Sequence, residues 1–344
     1  MAEPPLRVAL VGYGLAGRVL HRPLLEACPD LEVTHVVTGH PERRAQAAAE
    51  LPAARLLPTP DALWSCADAC DVVVVAAANL AHAPVATAAV ELGRPTVVDK
   101  PLAPTAAEAQ ALCDLAGARR VPLTVFHNRR WDSDTLTAAA LLRDGTLGDV
   151  HRLESRFTRF RPQVRARWRE DAAAGGGVLL DLGSHLVDQA VLLLGPVTHV
   201  YAEVDRVRPG ASADDDVLLA LTHAGGARSS LWASMAAPWP GPRLVLQGSA
   251  GGWAKDTLDG TEDAMRTGRW DGPVAEPDGR LWTSSGDAAV ASRPGDWPAF
   301  YAGFAAAARG RGPVPVDPRD AVRTLRVLEA ARRSAQQREV VVLG

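Results

Sequence analysis

Residues 7–17 read Arg7-Val8-Ala9-Leu10-Val11-Gly12-Tyr13-Gly14-Leu15-Ala16-Gly17, a short apolar run that ends in a GxGxxG pattern and leads into a helical sequence. In such a strand-to-helix turn the first glycine permits the tight bend. The second lets a pyrophosphate reach the backbone, and the third lets the helix pack closely on the strand. The amides that open the helix lack intrahelical acceptors and suit phosphate oxygens. A tight turn without a ligand would need the same glycines, so the surrounding pattern has to decide.

Outward from that turn, apolar runs at residues 31–38, 72–76, 96–98 and 123–126 alternate with amphipathic stretches at 42–51, 84–92 and 105–116. This is the sequence form of repeated βαβ units on a doubly wound parallel sheet, and it places dinucleotide binding in residues 1–126. Beyond Phe126 the pattern changes. A helix is expected over residues 133–143. Period-two segments follow at 150–160, 197–204, 217–221, 229–234 and 244–248, interrupted by a helix over 178–194. Eight of the nine tryptophans lie in this part, and Asp317-Pro318 opens a long closing helix. The expected fold is therefore α/β: an N-terminal Rossmann domain over 1–126, then an α+β domain over 127–344 on an open, mostly antiparallel sheet. Residues 251–295, rich in Gly, Asp and Thr, are expected to be the least structured.

Composition removes several function classes. Thirty-seven basic against forty acidic residues leave a net charge of -3, which does not suit a nucleic-acid or anionic-membrane binder. No apolar run approaches the roughly 20 residues of a membrane span, and the apolar start is broken at Gly12, so a cytoplasmic enzyme is expected. The cysteines Cys28, Cys66, Cys70 and Cys113 form no CxxC pair, and the nine histidines form no HExxH element, so no catalytic metal is expected. Only Lys100 and Lys255 are lysines; every other basic residue is arginine. Where arginine serves as the generic surface cation, a retained lysine points to a place that needs a compact, titratable charge.

Lys100 lies in Val97-Val98-Asp99-Lys100-Pro101, at the end of an expected parallel strand, where open α/β sheets bind their ligands. In the second half, Gly175-Gly176-Gly177 leads into a helix with Asp181, His185 and Asp188 at i, i+4 and i+7, one face of an α-helix. Carboxylate and imidazole on one face make a proton-transfer device, because histidine titrates near neutrality and aspartate can orient it. The other reading makes Asp188 a structural bridge and His185 a core residue. At the second strand's end, Val37-Thr38-Gly39-His40-Pro41-Glu42-Arg43-Arg44 has no carboxylate where NAD enzymes hold the ribose. Thr38, His40 and Arg43 suit a 2'-phosphate, so NADP is favoured; otherwise Arg43 and Arg44 are a solvated helix face. Arg152, Arg156, Arg159, Arg161, Arg165, Arg167 and Arg169, with Phe157, Phe160 and Trp168 among them, are either an exposed strand face or, in part, substrate contacts.

Taken together, these elements resemble the glucose-fructose oxidoreductase and inositol dehydrogenase family (Gfo/Idh/MocA) over nearly the whole chain. The resemblance is carried by Gly12 to Gly17, by Asp99-Lys100-Pro101 where many members have Glu-Lys-Pro, and by Asp181-Leu182-Gly183-Ser184-His185-Leu186-Val187-Asp188. His21 after the glycines, the stretch from Val125 to Asp134, the stretch from Arg159 to Arg165 and Trp297-Pro298-Ala299-Phe300-Tyr301 resemble its NADP-dependent scyllo-inositol dehydrogenase branch. The resemblance implies hydride transfer between NADP and a secondary alcohol of a cyclic polyol or sugar, with Lys100, Asp181 and His185 catalytic. It implies cofactor contacts from Gly12, Tyr13, Gly14, Leu15 and Gly17, from Ala77, Asn79 and His82, and from Lys100 and Arg129. Substrate contacts are implied for Asn128, Arg130, Arg159, Trp168 and Tyr301 beside Asp181 and His185. Ala76-Ala77-Ala78-Asn79 departs from the usual Thr-Pro-Asn type of turn, keeping the asparagine and losing the proline. A homodimer or dimer of dimers is expected, since few helices are available to cover the second sheet. Competing readings are a ketoreductase for a nucleotide-linked deoxysugar and a catalytically silent NADP sensor.

Overall fold

The computed structural model describes residues 3–66, 70–165, 168–173 and 175–344. Its chain forms two compact units, Met1–Asn128 with Glu262–Asp271 and Asp296–Val322, and Arg129–Thr261 with Gly272–Gly295 and Arg323–Gly344.

In the first unit β1 (Leu6–Val11), β2 (Leu31–Val37), β3 (Arg55–Leu57), β4 (Val72–Val75), β5 (Thr96–Asp99) and β6 (Leu123–Phe126) pair in parallel in the order β3-β2-β1-β4-β5-β6. A strand covered on both faces needs an apolar residue at every position. The four valines of β4, all fully buried, meet that demand. Helices α1 (Arg22–Glu26), α2 (Pro41–Glu50), α3 (Pro60–Trp64), α4 (Asn79–Glu91) and α5 (Ala106–Arg119) make the connections. Thr59 and Thr105 start α3 and α5 by accepting the amides of Ala62 and Glu108. The strand order reverses between β1 and β4, which places a ligand crevice at their carboxyl ends. β3 escaped the sequence reading because it is three residues long with a single buried side chain.

The second unit holds α6 (Ser133–Arg143), β7 (Val150–Thr158), α7 (Ser184–Leu194), β8 (Val197–Asp205), β9 (Asp216–His223), β10 (Arg228–Ser234), β11 (Leu244–Gly248), β12 (Gly251–Lys255), β13 (Gly279–Thr283), β14 (Gly286–Val290) and β15 (Val341–Val342). Nine of these strands form a sheet in the order β14-β13-β12-β11-β7-β10-β9-β8-β15, antiparallel throughout except for β7 against β10. The buried α7 packs on β7 and β10.

Two expectations need correction. Residues 251–295 are not the least structured stretch: they contain β12, α8 (Thr261–Arg266), β13 and β14. Their glycines mark close approach rather than looseness, since a Cβ at Gly279 would strike the indole of the fully buried Trp253, and one at Gly251 would lie 2.7 Å from the Trp282 carbonyl oxygen. Lys255 is a buried clamp there. Its ammonium donates to the Pro277 carbonyl at 2.7 Å and the Ser292 hydroxyl at 2.8 Å, beside the Glu276 carboxylate at 3.5 Å.

The second correction concerns the boundary, because the chain does not leave the first unit once and for all at residue 126. Helix α9 (Pro298–Ala308) returns to it: Phe300 meets Phe126 edge-to-face at 4.9 Å between centroids, and Thr124 Oγ1 donates to the Val316 carbonyl at 2.8 Å. The closing helix α10 (Pro318–Gln337) begins at Pro318, as the Asp317-Pro318 signal predicts. None of the helices among the described residues is long and apolar enough to cross a membrane.

Candidate active site

The glycine turn is built by backbone contact. Gly12 has φ +103°, and a Cβ there would collide with the Ala76 carbonyl just beyond β4. One at Gly17 would collide with the Gly12 carbonyl. The chain then enters a π-turn over Ala16–His21 that runs directly into α1. Leu15 is partly exposed at its start. The Tyr13 side chain points inward and donates to Glu50 Oε2 at 2.8 Å, so only its backbone belongs to the turn. Burial, with the Glu50 charge adding, pushes the Tyr13 phenol up, while the Arg18 guanidinium pulls Glu50 down.

At the end of β2, Thr38 is buried and donates its amide to the Leu57 carbonyl; His40 and Arg43 are exposed. The Arg43 guanidinium lies 3.7 Å from where a Gly14 side chain would begin, so the cation stands over the second glycine. Arg44 turns away and donates to the Leu56 carbonyl. The groups present fit a dinucleotide: closely approached glycines, a helix start, and an arginine instead of a carboxylate at the ribose position. A Cβ at Gly39 would lie 3.2 Å from the Pro58 carbonyl, close but open to a small adjustment.

Lys100 follows β5 directly, at the crevice edge that the sequence places it on, and is half-buried. Its amide donates to Asp99 Oδ1 at 2.8 Å, and the bond to Pro101 is cis. Asn79 begins α4. His82 is buried with Nδ1 2.7 Å from the Pro101 carbonyl and Nε2 3.1 Å from the Ala77 carbonyl, so its ring ties the turn after β4 to the segment after Lys100. This accounts for His82 as a link between the segments that follow β4 and β5.

In the second unit a π-turn over Leu179–Gly183 precedes α7, so Asp181, His185 and Asp188 do not keep the register of one α-helical face. Asp181 is half-buried, with Arg169 Nε 3.7 Å from its carboxylate. His185 is buried near Phe157, ring centroids 6.2 Å apart. Asp188 is a structural partner: Arg130 donates to it from Nε at 2.9 Å and from Nη2 at 2.6 Å. That fork also commits Arg130, read from the sequence as a substrate contact, to holding α7.

Arg129 is committed in the same way. It is buried, donates to Asp132 at 2.9 Å, and stacks over Phe157 at 4.6 Å. Arg243, which the sequence reading passed over, also stacks on that ring at 4.6 Å and ties Asp134, Ser155 and Gln189 together. Burial pushes the Asp132 carboxyl up, and the Asp134 and Asp259 charges add to it, against Arg129. The pattern of the sequence gives no signal for this network, because Arg243 and Gln189 lie far along the chain from the polar stretch Asn128 to Asp134 that they join. Arg159 uses its backbone to join β7 to the Ser234 and Ala237 segment. Tyr301 is fully buried in the first unit, its hydroxyl 2.6 Å from His21 Nδ1, which accounts for that hydroxyl without a substrate. Asn128 is buried at the end of the first unit's opening segment. The Trp168 side chain and Arg167 lie outside the described residues. Among the described residues no group of three or more His, Cys, Asp or Glu could hold a metal ion.

Residues 6–127 match the model of an oxidoreductase family with an NAD-binding Rossmann fold, and residues 135–254 match the GFO/IDH/MocA C-terminal domain. The chain belongs to the GFO/IDH/MocA oxidoreductase family. It is 36% identical over 347 residues to the uncharacterized oxidoreductase YdgJ of Escherichia coli, covering 98% of this chain and 99% of that one. It is 31% identical to scyllo-inositol 2-dehydrogenase (NADP(+)) IolW of Bacillus subtilis, covering 98% and 96%. The solved structure of yvaA from Bacillus subtilis, described as a candidate oxidoreductase, superposes with a TM-score of 0.92 at 31% identity over the full length of both chains. The chain is thus an NAD(P)-dependent dehydrogenase of this family, with a Rossmann domain followed by a mostly antiparallel sheet domain.

The Arg130–Asp188 pair separates structure from chemistry. Removing one partner of a buried ion pair strands the other charge, so Asp188→Asn is expected to destabilise the protein by about 3 kcal/mol or more. The double change Arg130→Met with Asp188→Leu should recover most of that loss. Thermal melting of the two variants checks this.

Proposed function

We propose that this dehydrogenase is NADP-dependent and moves a hydride between the nicotinamide and a secondary alcohol or ketone of a cyclic polyol or sugar, with Lys100, Asp181 and His185 as its catalytic residues. The observation that carries the cofactor reading is the Arg43 guanidinium over Gly14, at a strand end that lacks a carboxylate. The similarity to an enzyme named for NADP(+) and scyllo-inositol supports both cofactor and substrate class. Gly12, Gly14 and Gly17 hold the pyrophosphate, with Tyr13 and Leu15 contributing backbone. Thr38, His40 and Arg43 hold the 2'-phosphate, and Ala77 and Asn79 border the cofactor where β4 ends.

When bound, the nicotinamide supplies the hydride acceptor. In the oxidation direction the His185 imidazole takes the hydroxyl proton, and the Lys100 ammonium stabilises the negative charge developing on that oxygen. Asp181 accepts a hydrogen bond from a neighbouring substrate hydroxyl and holds the ring in place. Arg169 Nε, 3.7 Å from that carboxylate, helps to orient it. In the reduction direction the same proton returns from His185 to the carbonyl oxygen as hydride arrives at carbon.

We further propose that the open face of the second sheet pairs with a second copy. Leu218 and Trp232 are cross-strand partners on that face, and Arg156, opposite Trp232 on β7, stacks toward Trp232 and the 70% exposed Trp239. Leu218, Trp232 and Trp239 supply an apolar and aromatic centre, ringed on the same strands by Glu154, Asp216 and Arg228, and an apolar centre with a polar rim is the form of a specific interface.

Three outcomes follow from this reading. Lys100→Met and His185→Ala are each expected to lower kcat by roughly 10² to 10⁴, the range for a positioned acid or base. Steady-state kinetics measures this, and near-normal turnover in both would contradict the assignment. One or two charge-assisted bonds to the 2'-phosphate correspond to a kcat/KM preference for NADP over NAD of roughly tenfold to several hundredfold. Arg43→Ala should shrink that preference and Gly39→Asp should reverse it, whereas equal use of both cofactors by the unaltered enzyme would contradict the reading. Sedimentation equilibrium at micromolar concentration should give a dimer or a dimer of dimers; a monomer would contradict the pairing.

A further inference from the structure

Three residues far apart in the sequence meet beside Lys100 within the first unit. His21 ends the π-turn after the glycines, Asp99 closes β5, and Tyr301 lies on α9. The His21 ring is fully buried. Its Nδ1 lies 2.6 Å from the Tyr301 hydroxyl, its Nε2 lies 3.9 Å from Asp99 Oδ1, and it stacks at a tilt on Phe126 with centroids 4.4 Å apart. The same Asp99 oxygen accepts the Lys100 amide at 2.8 Å. We propose that His21, held between the Tyr301 hydroxyl and the Asp99 carboxylate, is a positioning residue for Lys100. This rests on the reading of Lys100 as catalytic.

The proton inventory fixes the direction of each contact. Burial, with the Asp99 charge adding, pushes the Tyr301 phenol well up, so Tyr301 keeps its proton and donates it to Nδ1. A ring that accepts at Nδ1 carries its proton on Nε2, the nitrogen that faces Asp99. At 3.9 Å that contact is too long for a direct hydrogen bond, and the attraction is electrostatic. Burial pushes the Asp99 carboxyl up, but His21, His82 and Lys100 together more than offset it, so Asp99 sits below its ordinary range and is ionised. An ionised Asp99 grips the Lys100 amide more strongly than a neutral one would, and that amide sets the direction in which β5 delivers the lysine. Phe126, the β6 register partner of Asp99, packs on the imidazole at a tilt and restricts its movement.

A misdirected lysine should lose rate without losing cofactor. His21→Phe is therefore expected to lower kcat by roughly ten- to a hundredfold, with KM for NADP within about twofold of the unaltered enzyme. Tyr301→Phe, which removes one oxygen, should lower kcat by about fivefold in the same assay. His21→Gln keeps an N–H on the Asp99 side and should recover most of the His21→Phe loss; a purely space-filling role would show no such recovery. If His21→Phe fails to fold, Tyr301→Phe and His21→Gln decide by the same kcat and KM readout. Unaltered kcat in Tyr301→Phe and in the His21 variants, measured beside an inactive Lys100→Met, would overturn this inference alone. Full turnover in Lys100→Met would overturn the reading of Lys100, and this inference with it.

Discussion

The structure turns on a place where two backbone segments touch. Gly12 and Gly17 close against each other and against Ala76, the first residue past β4, with no room for a Cβ at either glycine. That contact joins the carboxyl ends of β1 and β4 where the strand order reverses, and it sets the start of the following helix at the mouth of the crevice. The position of Arg43 over Gly14 and that of Lys100 at the end of β5 both follow from it, because each depends on where a neighbouring parallel strand ends.

The parallel sheet was legible in the sequence because fully buried strands must be apolar at every position, as in the four valines of β4. Two things were not. Residues 251–295 look like loop because glycine is the ordinary mark of a turn, yet Gly279 is glycine to let Trp253 lie against the backbone. The return of α9 to the first unit could not be read either, because the contact of Phe300 with Phe126 spans about half of the chain and leaves no local trace. At the site, the types of residue were legible and their duties only in part. The i, i+4, i+7 spacing of Asp181, His185 and Asp188 assumes an unbroken α-helix, and the π-turn at Leu179–Gly183 removes that assumption.

Arginine is where the sequence says least about what holds a side chain. Arg129, Arg130 and Arg243 stand near the residues assigned to chemistry, and each is held by a buried carboxylate. The centroid of the Phe157 ring lies 4.6 Å from two of these guanidinium groups and 6.2 Å from that of His185, so the imidazole rests on a scaffold of paired charge and aromatic surface. Such a scaffold holds the Phe157 ring beside that imidazole, since the two guanidinium groups that stack on the ring are tied to buried carboxylates in a medium of low dielectric. Arg43 differs from those arginines in being exposed, with its guanidinium 3.7 Å from where a Gly14 side chain would begin.

The central claim is hydride transfer between NADP and a free cyclic polyol or sugar. It is tested most directly by following absorbance at 340 nm with NADP(+) and a panel of inositol stereoisomers and free sugars, set beside nucleotide-linked sugars. The account predicts steady reduction of NADP(+) with at least one free cyclic polyol or sugar. Turnover confined to nucleotide-linked sugars, or none with any member of the panel, would contradict it.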